Sequence, residues 1–155
     1  MPNILLTRID NRLVHGQVGV TWTTTLGANL LVVVDDDTAA SEMQQKLMAM
    51  ITDQVGVGIR FFSVEKTIAV IHKAADAQKI FLVCRTPATV RQLVAGGVPI
   101  TQVNVGNMHF SAGKRPLSKK VYVDDQDLED LRFLQGKGIS VFMQDTPGDT
   151  KDSSF

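Results

Sequence analysis

The chain holds one cysteine, one tryptophan, one tyrosine and three histidines in 155 residues. A lone thiol, Cys84, excludes an internal disulfide framework and any multi-cysteine zinc site. The reducing cytosol is the natural home for such a chain. There is no excess charge: 16 basic residues stand against 16 acidic ones. A basic face for nucleic acid is therefore not announced. Long apolar stretches are missing too. The longest strongly apolar run, Leu30 to Val34, falls far short of the ~20 residues that span a bilayer. The N-terminus, MPNILLTRID, reaches charge within eight residues and does not read as a signal peptide. Neither G-x-G-x-x-G nor G-x-x-x-x-G-K-[ST] occurs, which removes the sequence basis for a dinucleotide or P-loop reading.

What is there suits a single α/β domain. Hydrophobic residues make up 44% and charged residues 21%, ordinary for a globular chain. A domain of this length buries roughly two thirds of its unfolded surface and needs no covalent staple. Seven short apolar runs read as strands: Ile4 to Leu6, Leu30 to Val34, Ile59 to Phe62, Ile80 to Val83, Gln102 to Val105, Lys120 to Val123 and Ile139 to Met143. Their length and Val/Ile content favour strand over buried helix.

Helix-length segments separate most of these runs. Ser41 and Gln44 form a capping-box pattern ahead of Met43, Leu47 and Met50. Glu65 to Ala75 carries Ile68, Ile71 and Ala75 on one face. Thr86 caps a helix with Pro87 at its first position, and Gly96-Gly97 stops it. Asp124 caps a segment bearing Leu128, Leu131 and Leu134. Gly16 to Leu26 reads as helix through Val18, Trp22 and Leu26. Strands alternating with helices imply a parallel sheet covered on both faces, with right-handed crossovers. Residues 1–147 are expected to form the domain, and 148–155 to be a polar, frayed tail.

In such a sheet, ligands bind beyond the carboxyl ends of the strands, where strand order switches. The loop after the first strand reads Arg8-Ile9-Asp10-Asn11-Arg12-Leu13-Val14-His15-Gly16-Gln17, and a helix follows at once. A helix N-terminus offers unpaired N–H groups and partial positive charge to a phosphate. Gly16 removes a side chain where backbone must come close. Arginine supplies a fork that matches phosphate oxygens. A neutral histidine can carry a phosphoryl group covalently. Asp10 could orient the imidazole or hold Arg12. A solvated loop with a surface histidine is the plain alternative.

Other candidates are weaker. His72 reads as a surface residue on a helix. His109, in Asn104-Val105-Gly106-Asn107-Met108-His109, lies either in a site or in packing. Cys84 and Trp22 read as core. Asp35-Asp36-Asp37-Thr38 after a strand approaches the D-x-D-x-T opening of haloacid-dehalogenase-type phosphatases, but Ala39 stands where the threonine belongs.

The segment Arg8 to Val18, RIDNRLVHGQV, resembles the active-site signature of IIB components of the mannose/fructose/sorbose class of the bacterial sugar phosphotransferase system. NVGNMHF, Asn104 to Phe110, resembles a second motif of that family. The resemblance covers nearly the whole chain and is greatest to the N-acetylgalactosamine/galactosamine branch. It implies a three-layer α/β domain: a mainly parallel seven-stranded sheet, helices on both faces and one antiparallel edge strand. Strands one and five would be neighbours at the switch point, bringing the His15 loop and the Gly106–His109 loop to one crevice.

The resemblance further implies that His15 is phosphorylated on Nδ1, that Arg12 contacts the phosphoryl group and that Asp10 belongs to the same loop. Arg8, Gly16 and Gln17 are carried over as phosphate-binding. Gly106, Asn107 and His109 form a possible second loop without assigned roles. The implied reaction takes a phosphoryl group from a IIA partner onto His15 and passes it to a sugar held by the membrane components IIC and IID. It needs no cofactor and no metal. The implied place is the cytoplasmic face of the membrane, beside IIC and IID. A local basic patch of Arg8, Arg12 and Arg85 would meet an acidic rim on IIA. The rival within the fold is a regulatory IIB-like protein that binds without turnover.

Overall fold

The computed structural model describes Met1–Phe155. Six strands form one wholly parallel sheet: β1 (Asn3–Asp10), β2 (Leu30–Val34), β3 (Gly58–Phe62), β4 (Lys79–Cys84), β5 (Gln102–Asn107) and β8 (Ser140–Met143), in the order β3-β2-β4-β1-β5-β8. The two remaining strands, β6 (Arg115–Ser118) and β7 (Val121–Val123), pair antiparallel in a separate ribbon.

The expected seven-stranded sheet with an antiparallel edge is corrected by this arrangement. The sixth apolar run does become a strand, but β7 lies beside Met108, just past the end of β5, through Met108 N–H to Lys120 O and Tyr122 N–H to Met108 O. Its other partner, β6, had no apolar signature to announce it. Pro116 also lacks the N–H that an interior sheet position would need.

The sheet's two faces are both covered because its strands are apolar at successive positions. In β2 all five residues, LLVVV, are buried. Leu30, Val32 and Val34 join one core cluster, and Leu31 and Val33 join the other, the period of two that a pleated strand imposes. The first cluster packs under α5 (Pro87–Ala95) and α6 (Asp125–Gly136) through Val90, Leu93, Leu128, Leu131 and Leu134. The second receives Val18 and Trp22 from the helix over 17–26, and Met48 from α3 (Glu42–Asp53).

Helix α1 begins as a π-helix over Gln17–Trp22 and continues as an α-helix over Thr23–Leu26. The Thr23 hydroxyl donates to the Val18 carbonyl at 2.9 Å inside the widened turn. Ser41, Thr86 and Asp124 cap α3, α5 and α6 with their side chains, as the sequence predicts, and Asp124 with Asp127 completes a capping box. A short helix, α2 (Asp36–Ala39), was not anticipated. The predicted helix over 65–75 is α4 (Val64–Val70) followed by one 3-10 turn over Ile71–Lys73.

The last eight residues make contacts with the sheet and the core. Met143 and Asp152 exchange backbone hydrogen bonds at 2.6 and 3.0 Å. Phe155 packs against the first core cluster. The segment is polar in composition, yet its backbone bridges the last residue of the edge strand β8, which a composition reading does not register.

Candidate active site

The topology puts the switch point between β1 and β5. The chain leaves β1 toward β2 on one side and leaves β5 toward β8 on the other, while the two strands lie side by side. Brought together at their carboxyl ends are the His15 loop and the 106–109 loop. Asn11 N–H donates to Asn107 O at 3.0 Å, and His109 N–H donates to Asn11 Oδ1.

Asp10, the last residue of β1, organises the first loop. Its Oδ1 accepts from the Arg12 N–H at 3.0 Å, an Asx-turn, and its carbonyl accepts from the Leu13 N–H at 3.0 Å. Leu13 then takes φ +57°, the only non-glycine residue with positive φ. Such a conformation persists only where the surroundings over-determine it. Here they do: Leu13 and Val14 are buried in the second core cluster, so the chain turns back toward the sheet and presents His15 at its rim.

Two guanidinium groups and an imidazole converge on the Asp10 carboxylate, whose side chain is wholly buried. Arg8 reaches Oδ2 through Nη2 at 3.1 Å and Nε at 3.4 Å. Arg12 reaches Oδ1 through Nε at 3.2 Å and Oδ2 through Nη2 at 3.3 Å. His15 Nε2 lies 3.2 Å from Oδ2. Burial works against the ionised carboxylate, but the hydrogen bonds from His15 and Arg12 and the charge of Arg8 more than offset it and hold Asp10 well below the usual carboxylate range. An ionised carboxylate only accepts, so His15 Nε2 carries a proton, and in the neutral ring Nδ1 is the nitrogen with the free lone pair.

His15 and Arg12 are part-exposed, their side chains 23% and 37% accessible. Gly16 opens the helix with no side-chain cap, and a Cβ placed on it would meet nothing within 4 Å. The helix thus starts directly after His15, where its first N–H groups have no intrahelical partner.

Two expected phosphate ligands are used otherwise. Arg8 is completely buried, stacked on Trp22 at 5.1 Å, with Nη1 donating to Asn104 Oδ1 at 2.6 Å and to Gln144 O at 3.1 Å. It braces Asp10 from inside rather than facing a ligand. Gln17 spends its side-chain amide on the Asp145 carbonyl at 2.7 Å, which Trp22 Nε1 also bonds at 2.9 Å. The expected basic patch is reduced accordingly. Arg8 is interior, Arg85 is paired to Asp35 at 3.2 Å, and Arg12 alone of the three borders His15 with its charge part-exposed.

In the second loop, Gly106 is glycine because a Cβ would overlap the Arg8 guanidinium. Asn107 contributes its carbonyl to the Asn11 N–H, and His109 is exposed. Sequence reasoning missed Asn104, Gln144 and Asp145, which hold Arg8 and the start of α1. A polar residue inside an otherwise buried strand, as in Val103-Asn104-Val105, was the available signal.

Asp35 does not resemble a phosphatase nucleophile. Its carboxylate takes Arg85 and caps α2 through the Thr38 N–H and hydroxyl. Cys84 is buried, and burial with the nearby Asp35 charge pushes its thiol well above the ordinary value, so it stays an inert core thiol. No three His, Cys, Asp or Glu side chains cluster as a metal site. No helix is long and apolar enough to cross a membrane.

A parallel α/β domain with a carboxylate-held histidine, an arginine and an open helix start at its switch point defines a class of protein built to handle a phosphoryl group. The comparisons with known proteins give that class its family. Residues 4–154 match the model of the phosphotransferase-system sorbose subfamily IIB component, and the chain belongs to that family.

It is 69% identical over 151 residues to the N-acetylgalactosamine-specific phosphotransferase enzyme IIB component 1 of Escherichia coli strain K12, covering 97% of this chain and 96% of that one. A crystal structure of the E. coli N-acetylgalactosamine-specific IIB component 1 superposes with a TM-score of 0.96 at 67% identity, covering 99% and 100% of the two chains. The mannose-specific EIIAB component of E. coli K12 is 36% identical over 147 residues, 94% of this chain but 45% of that protein. As a IIB component, the chain is a phosphotransferase of the sugar phosphotransferase system.

Proposed function

We propose that His15 is the phosphoryl carrier, accepting the group on Nδ1 from a phosphohistidine of a IIA partner and passing it to a sugar. The observation that carries this reading is the bond from His15 Nε2 to the buried Asp10 carboxylate, which leaves Nδ1 as the nucleophilic nitrogen.

In the first step the N–P bond of the donor breaks as the bond from His15 Nδ1 to phosphorus forms. Nε2 keeps its proton, so the ring gains positive charge as it attacks. Asp10, ionised and 3.2 Å away, stabilises that charge. Arg12, whose Nε and Nη2 are held by Asp10, supplies its charge and its remaining guanidinium N–H groups to the equatorial oxygens in flight, and the N–H groups at the start of α1 add partial positive charge. In the second step a sugar hydroxyl oxygen attacks phosphorus, the Nδ1–P bond breaks, and the electron pair returns to a ring already charged, which makes it a good leaving group. The hydroxyl proton departs to solvent or a partner's base. No nucleotide, cofactor or metal takes part.

The sugar is an amino sugar: N-acetylgalactosamine on the strength of the relatives' names, or galactosamine on the resemblance of the sequence. The partners are IIA as donor and the membrane components IIC and IID, which hold the sugar. The EIIAB name of the mannose relative, which joins A and B on one chain, supports the IIA pairing. The place of work is the cytoplasmic face of the membrane at IIC and IID.

The test is intact-protein mass after incubation with phosphoenolpyruvate, the upstream phosphotransferase proteins and a cognate IIA. One added phosphoryl group, lost in acid and absent from His15→Ala, is the expected result. Retained labelling in His15→Ala removes His15 from this role. No added mass on wild type, with a competent IIA, favours a regulatory protein that binds without turnover.

A further inference from the structure

Asn11 lies between Asp10 and Arg12, and each of its polar groups is engaged. Its N–H donates to Asn107 O at 3.0 Å and its Oδ1 accepts from the His109 N–H. Its Nδ2 donates to Arg85 O at 3.4 Å, and its own carbonyl accepts from Arg85 Nη1 at 2.8 Å. Arg85 turns its other nitrogens on Asp35, Nε to Oδ1 at 3.3 Å and Nη2 to Oδ2 at 3.2 Å. One side chain and one peptide thus join the loops that follow β1, β4 and β5, and Arg85 extends the connection to the loop after β2.

These are the ends of four successive strands, β2, β4, β1 and β5. The Asp35-Asp36-Asp37 run, which the phosphoryl chemistry leaves unused, finds its place here. Asp35 anchors the far end of the strut, and Asp36 Oδ1 accepts the Val64 N–H at 2.9 Å to tie in the loop after β3.

Loops are the mobile parts of an α/β domain, whereas in-line transfer demands placement so fine that an error of ~1 Å costs about 10²-fold in rate. Asp10 and Arg12 are the two side chains that meet His15 and the phosphoryl group, and only Asn11 separates them. A shift of the Asn11 peptide moves both. The Leu13 backbone at φ +57° adds a reason for a rigid hold upstream.

We propose that Asn11, braced by the Arg85–Asp35 ion pair, is a positioning residue for phosphoryl transfer at His15. The inference rests on the reading of His15 as the carrier.

The experiment is single-turnover transfer from phosphorylated IIA to wild type, Asn11→Ala, Arg85→Gln, the double variant and His15→Ala, with donor concentration varied. Asn11→Ala is expected to transfer about 10- to 100-fold more slowly at saturating donor, with KM for the donor within about twofold of wild type. Arg85→Gln should show a smaller fall of the same kind. The double variant should be no slower than Asn11→Ala alone by more than about twofold, because both act through one strut.

A rate at saturating donor within about twofold of wild type in Asn11→Ala, or a loss confined to KM, overturns the proposal. If Asn11→Ala does not fold, Arg85→Gln decides by the same criterion. Labelling of His15→Ala would instead overturn the carrier reading on which the inference rests.

Discussion

Gly106 of β5 faces Arg8 of β1 so closely that the guanidinium occupies the space where a Cβ would stand. The missing side chain is what lets a fully buried arginine lie across the neighbouring strand and reach Asp10, Asn104 and Gln144 at once. Gly106→Ala should therefore displace Arg8 and separate it from Asp10. Breaking a buried ion pair costs about 3–5 kcal/mol. Urea unfolding should show a loss of at least ~2 kcal/mol, with transfer slowed in the same variant. An alanine variant as stable as wild type would show that Arg8 has another place to go.

Asp10→Asn separates charge from shape. The variant strips the anion from Arg8 and from the His15 ring, so both stability and transfer should fall. Transfer should drop by about 10²-fold or more, the scale of a lost ionisable partner to a catalytic imidazole. The pH dependence follows from the depressed Asp10 value, which lies below the ordinary 3.8. Ionised Asp10 contributes stability that is complete above about pH 4 and is lost as pH falls through the lower, folded-state value. The acid limb of wild-type stability should be correspondingly steeper than that of Asp10→Asn, measured by thermal melts from neutral pH downward. Parallel acid limbs would mean that Asp10 has the same affinity for protons folded and unfolded.

Arg12 tests whether geometry or charge holds the phosphoryl group. Arg12→Ala should slow phosphoryl acceptance by orders of magnitude. Arg12→Lys should recover only part, since an ammonium keeps the charge but loses the planar fork. Rapid-quench labelling from phosphorylated IIA reads both. Full activity in the lysine variant would reduce Arg12 to a point charge.

The C-terminal segment is the fourth case. Deleting 148–155 removes the Met143–Asp152 bonds, the Phe155 packing and the Asp149 carbonyl that accepts from Gln144 Nε2 at 2.8 Å. Two or three hydrogen bonds at about 1 kcal/mol each correspond to a melting temperature lower by about 4–12 °C in a domain of this size. Calorimetry on the truncated chain checks this. An unchanged melting temperature would return the segment to the status of a loose tail.

Most of the elements were legible because each depends on neighbours in the chain. Val32 and Val33 announce a strand buried on both faces, and Thr86-Pro87 or Asp124 announces a helix start, by local sterics and local hydrogen bonds. The ribbon was not legible. Arg115-Pro116-Leu117-Ser118 has no strand periodicity, and its pairing with Val121–Val123 comes from a turn and from Met108, which lies beyond β5. Nor was the polar C-terminal segment, whose order comes from the edge of β8. His15 and Arg12 stood out because a histidine, arginines and a glycine crowd one loop after a strand. The separate duties of Arg8 and Arg12 did not, since both are arginines flanking the same aspartate. Their burial, complete for one and partial for the other, is a property of the sheet around them.

The amino-acid order thus specified the alternation of strands and helices, the caps, and a histidine loop at the carboxyl end of the first strand, all interactions that span a few residues. Tertiary structure alone decided which charges are spent inside the protein and which remain for a ligand. Arg8 meets Asn104 and Gln144, and Arg85 meets Asp35, across separations of 96, 136 and 50 residues. Only the parallel packing of β2, β4, β1, β5 and β8 brings those groups within hydrogen-bond range. A buried charge must find a partner wherever the fold supplies one, so its role is set by the strands it lies between and not by its neighbours in sequence.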